Sequence, residues 1–151
     1  MANIFLKKGG AGFSIGREET AQRLNPLIEK LIVLNHCYDY VILHTSNPDT
    51  AERLEAFQKI ARADVGKLSE TILSNGGVPY NGIDLEASNF NLGTGDAEML
   101  RAVLDQERAF LDAIAAERKV RHHIRTQAIL EKVHSNGQAR LTFLENAIKQ
   151  K

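Results

Sequence analysis

Two carboxylates sit where a sequence of this kind should be apolar. Asp64 falls on a stripe otherwise made of Leu54, Phe57, Ala61, Leu68 and Ile72, and Glu107 on one made of Leu100, Val103, Phe110 and Ile114. An uncompensated carboxylate in a core costs several kcal/mol, so each must be paired, protonated or near water. Carboxylates and imidazoles that share helix faces suit iron or manganese, and Glu131-x-x-His134 has that spacing. The competing reading makes His134 a core histidine with a hydrogen-bond partner. Tyr38 lies on the core face of the first helix, so its hydroxyl is expected to pair with a core polar group, the same acids among the candidates. Cys37 has no adjacent base and reads as a buried, inert thiol. His122-His123 lies in a basic stretch, Arg118 to Arg125, and reads as a solvated turn; His36 and Asp39 match no ligand spacing. Gly9, Gly10, Gly12 and Gly16 could suggest a phosphate loop. Their spacing is wrong and no βαβ pattern follows, so they describe a flexible arm or a small hairpin.

Composition narrows the possibilities. The 151 residues, 43% hydrophobic and 25% charged, suffice for one domain with a single core. Lys plus Arg and Asp plus Glu both number 19, so no overall charge draws the chain to nucleic acid or to an anionic membrane surface. One cysteine excludes an internal disulfide and suits a reducing cytoplasm. No segment approaches the roughly 20 apolar residues of a membrane span, and a cytoplasmic location is expected.

The acids need elements to position them. Residues 1–16 form a Gly-rich arm and 17–151 an all-α domain. Leu24, Leu27, Leu31, Leu34, Tyr38 and Val41 mark a first helix that begins at the Asn25-Pro26 cap signal, after a helical turn or short helix over Arg17 to Leu24, and ends near His44. Asn47-Pro48 starts the second helix and Asn75-Gly76-Gly77 ends it, with both glycines expected at positive φ. The third starts with Asp96 as its N-cap. A turn at Lys119–His122 precedes a fourth, whose stripe is Leu130, His134, Gly137, Leu141, Leu144 and Ile148. Alternatively Ser135-Asn136-Gly137 breaks the pattern, and one helix runs from Asp96 to His134. The linker Gly76–Gly95 can extend about 60 Å, against roughly 38 Å for a 25-residue helix. It can therefore cross a bundle end to end, making two antiparallel helical hairpins joined by a long crossover loop.

In these features the chain resembles the ferritin-like superfamily, bacterioferritin in particular, and ferritin-like bacterial domains of unknown function. The resemblance covers Leu24 to Ile148. It rests on Ile72-Leu73 running into Gly76-Gly77-Val78-Pro79, on Met99-Leu100-Arg101-Ala102-Val103-Leu104-Asp105-Gln106-Glu107, and on Phe143-Leu144-Glu145. It implies a ferritin-like four-helix bundle, in which di-iron members supply one Glu from each of two helices and Glu-x-x-His from each of the others. Carried over, those positions fall on Leu31, on Ala61 and Asp64, on Glu107, and on Gly137 and Arg140. Most ligands are altered, which implies a degenerate site with no metal. The resemblance places Arg140 where a ligand would stand, and its guanidinium fork is expected to bridge Asp64 and Glu107. The competing expectation has one or more of these side chains reaching water at a bundle edge. Function then reads as association rather than catalysis, as a homo-oligomer, a dimer through helix faces and the N-terminal arm. The alternative is a diverged iron or manganese protein, an oxidoreductase or metal binder, using Asp64, Glu107, Glu131 and His134.

Overall fold

A computed structural model describes residues 14–149. The hairpin or arm reading of the glycine-rich head therefore falls almost wholly outside the described residues. Within them the chain forms four long helices, α1 (Arg17–His44), α2 (Pro48–Ser74), α3 (Asp96–Glu117) and α4 (Ile124–Lys149), with one short 3-10 turn at Ala87–Asn89 and no strand. Each of α1 and α4 packs against both α2 and α3. The inward stripes form one core, whose members include Leu24, Ile28 and Leu31 of α1, Leu54, Leu68 and Ile72 of α2 and Phe110 and Ile114 of α3.

The first helix begins earlier than its cap signal predicts. It runs unbroken from Arg17 through Pro26. Proline leaves the carbonyl four residues back without its helical donor; here that residue, Gln22, is exposed and water can serve it. Asn25 has a different task. Its side chain donates to Val78 O (3.0 Å) and accepts from the Tyr80 amide (2.8 Å), fixing the chain beyond α2 against α1.

The second helix follows its signals closely. The Asn47 side-chain oxygen accepts from the amides of Asp49 (2.9 Å) and Thr50 (3.2 Å), with Pro48 at the first helical position. At the far end Gly76 has φ +82°, but Gly77 is not in the left-handed region, contrary to expectation. A different constraint acts there: a Cβ on Gly77 would lie 2.6 Å from the Cβ of Ala21. Gly77 is small because α1 passes against it.

The segment 75–95 has contacts along α1. Beyond Asn25, the Phe90 ring stacks on His36 at 4.7 Å, and the Tyr40 hydroxyl donates to Gly93 O at 2.8 Å. Asp96 then accepts from the amide and hydroxyl of Ser46, at 3.1 and 2.7 Å. Asp96 is thus the first residue of α3 rather than its cap, which is Gly95. At the other end Arg17 donates to Ser74 O, and the Ile15 amide donates to Arg121 O. The start of α1, the end of α2 and the α3–α4 turn therefore meet.

The break between α3 and α4 lies at residues 118–123, near its expected position, and Ser135-Asn136-Gly137 stays helical. The α4 stripe is shifted by one residue in places. Leu130, Val133, Gly137, Arg140, Leu144 and Ala147 are buried, while His134, Leu141 and Ile148 are half-exposed. Gly137 faces Leu111, whose Cδ2 would lie 2.9 Å from an added Cβ. Only the far end of a flexible side chain is that close, so the contact by itself does not demand glycine.

Candidate functional site

Among the buried polar side chains, one from each helix makes up the expected cluster: Tyr38 from α1, Asp64 from α2, Glu107 from α3 and Arg140 from α4. Their residue exposures are 2%, 3%, 0% and 1%. These values overturn the expectation that some of them reach water at a bundle edge. The Tyr38 hydroxyl donates to Glu107 Oε2 at 2.6 Å, and Arg140 Nε donates to the same oxygen. Arg140 also lies over the Phe110 ring, 5.8 Å from its centroid, so its cation meets an electron-rich face as well as a carboxylate.

Asp64 stands apart from this bonded set. Its oxygens accept from Asn136 Nδ2 at 3.0 and 3.2 Å, and no hydrogen bond joins it to Arg140. The expected bridge across both acids is therefore absent among the described residues. Asn136, one turn before Arg140, already serves Asp64, and Arg140 engages Glu107 through Nε alone. Arg140 still acts on Asp64 through its charge. Asn136 is the member that sequence reasoning missed. It sits inside a Ser-Asn-Gly string that looks like a helix break, and nothing local marks it as a partner of an acid on another helix.

Electrostatics follow from this geometry. Burial raises the Asp64 pKa above the ordinary carboxylate value, partly offset by the Asn136 hydrogen bond and the nearby Arg140, Lys132 and Lys67 charges. Burial, reinforced by the Glu107 charge and hydrogen bond, holds the Tyr38 phenol protonated well above its usual range. For Arg140, burial works against the charged form, but the charge of Glu107 and its hydrogen bond outweigh that penalty, and the guanidinium is held charged. Glu107 Oε1 and both Arg140 Nη atoms make no hydrogen bond with the described residues. A polar network satisfied only in part is a poor source of stability. Substrate atoms could not touch Glu107 or Arg140 unless the helices separated.

The Glu131-x-x-His134 pair points elsewhere. Arg118 donates to Glu131 through Nε (3.0 Å) and Nη2 (2.9 Å), and its Nη1 lies 3.3 Å from His134 Nδ1. The His134 pKa is lowered by partial burial and then by the Arg118 charge. A cation already faces both groups, at the α3–α4 end of the bundle. Among the described residues no three or more His, Cys, Asp or Glu side chains converge as ligands of one metal ion would. Cys37 is buried, and that burial lifts its thiol to about 11, too high for a nucleophile near neutral pH.

His122 corrects the solvated-turn reading. It is 5% exposed, with Nε2 2.6 Å from Glu117 Oε2, while His123 is exposed. His122 closes the end of the core, and only its neighbour faces water. No helix among the described residues is long and apolar enough to cross a membrane. No family model and no curated protein matches the sequence.

Proposed function

We propose that the chain is a ferritin-like bundle in which an arginine–carboxylate pair occupies the place of a di-metal centre, and that it works by association with a second copy rather than by catalysis. The observation that carries this reading is the bond from Arg140 Nε to Glu107 Oε2 at the centre of four helices. A fixed guanidinium supplies internally the positive charge that a metal would bring to that carboxylate. Leu31 and Ala61, at 0% and 3% exposure, face the same core and offer no donor atom.

The crossover reading has support in the contacts of segment 75–95, which meet α1 at Asn25, His36 and Tyr40 in turn. With Ser46 bonded to Asp96, α2 and α3 both start at one end of the bundle, as two antiparallel hairpins joined by a crossover require. A dimer through helix faces would cover large apolar side chains left in water there, Leu43 at 78% and Ile60 at 43% exposure. Sedimentation equilibrium of the full chain tests this half of the reading. A mass twice that of the 16.8 kDa chain is expected, falling toward one chain in Leu43→Glu/Ile60→Glu; a monomer at every concentration would remove it.

A further inference from the structure

A groove of about 570 Å³ opens at the end of the bundle where α1 and α4 begin and α2 ends. Its walls bring together Arg17, Lys67, His123 and Arg125, against the single acid Glu70. The whole chain carries no net charge, so this clustering reflects placement rather than composition. Lys67 and Arg125 form no ion pair among the described residues, and both are exposed to the groove. Arg17 spends one guanidinium nitrogen on Ser74 O at 2.7 Å, which fixes its position and leaves its other donors free. The first turn of α1 borders the groove through Arg17 and Thr20, and no side chain among the described residues caps it. Glu18 and Glu19 lie on that turn; Glu19 is engaged by Arg23, at 2.9 Å. At α4 the Arg125 amide donates to His123 Nδ1, orienting that imidazole, and the Thr126 hydroxyl lies in the wall.

We propose that this groove binds the phosphate group of an anionic ligand. Two guanidinium groups and an ammonium group are the donors that a phosphate's several oxygens accept from, and a single carboxylate would leave most of them unused. The volume suits a small phosphorylated molecule. Residues 1–13, which precede Ser14 in the sequence, contain Lys7 and Lys8 and no acid.

Titrating the full chain with inorganic pyrophosphate, followed by amide NMR shifts, tests the proposal. Saturable shifts are expected at Arg17, Lys67, Arg125 and Thr126. In Lys67→Glu and in Arg125→Glu the affinity should fall by about tenfold or more, as loss of a charge-assisted bond implies. Both side chains are exposed, and an unchanged thermal melt shows that each variant folds. Parallel sedimentation with phosphatidic acid vesicles, against phosphatidylcholine vesicles, identifies the source. Capture by the first alone, weakened in the same variants, assigns a lipid headgroup, and a pyrophosphate response without capture assigns a soluble ester. Absence of both responses, or responses that the two variants leave unchanged, would overturn it.

Discussion

Arg140 is buried and bonded to one carboxylate, over one aromatic ring, with two of its nitrogens unbonded among the described residues, and this imbalance sets what substitutions there should do. Arg140→Met would leave Glu107 buried with only Tyr38 as a partner, and a loss of about 3–5 kcal/mol is expected by denaturant unfolding. Removing both charges, as Arg140→Met/Glu107→Leu, should restore most of that loss, because the desolvation of both ions disappears with their attraction. Similar stabilities for the single and double variants would show that no pair exists. Asp64 makes a separate prediction. Its folded pKa is raised by burial, so its favourable contribution is complete below about pH 4 and is lost as pH rises through the folded value. Asp64→Asn should therefore gain stability relative to the parent between acid and neutral pH, which urea melts across that range would read. The acids were legible as breaks in an apolar period. Their partners were less so: Arg140 came from the resemblance, and Asn136 could not be found, because which residues face each other across helices is set by packing that a single sequence does not display.

At the scale of elements, the signals that worked were those whose chemistry is local. Asn47-Pro48 caps α2 by bonds to amides two and three residues on, and Asn47→Ala should cost about 1 kcal/mol in thermal or urea unfolding. Signals that depend on a neighbouring element misled. Asn25-Pro26 has the form of a helix start, yet Asn25 serves the chain after α2; Gly77 has the form of a cap residue, yet it makes room for Ala21. Gly77→Ala should cost about 1–3 kcal/mol, since neither backbone can withdraw cheaply. Gly137→Ala is expected to be nearly neutral, because the one tight contact of the Cβ is with the end of the Leu111 side chain and the helix gains about 1 kcal/mol in propensity. Equal losses at the two glycines would contradict this assignment of causes. The phase of α4 is obscured for the same reason: a long charged side chain at Arg140 and small ones at Gly137 and Ala147 do not look like a seam, whereas Leu141 and Ile148 do.

For the whole molecule, the all-helical architecture and its four elements followed from periodicity and punctuation, while the use of the core did not. A bundle can hold metal between its helices or fill the same space with bonded side chains, and sequences for the two differ at a handful of positions. Here Leu31, Ala61 and Gly137 are buried and silent, and Arg140 brings its own charge to Glu107. Metal per chain, measured on protein purified from cells supplemented with iron and manganese, tests that claim most directly. Far less than one ion per chain is expected, unchanged in Glu107→Ala. One or two ions per chain, lost on Glu107→Ala, would contradict it.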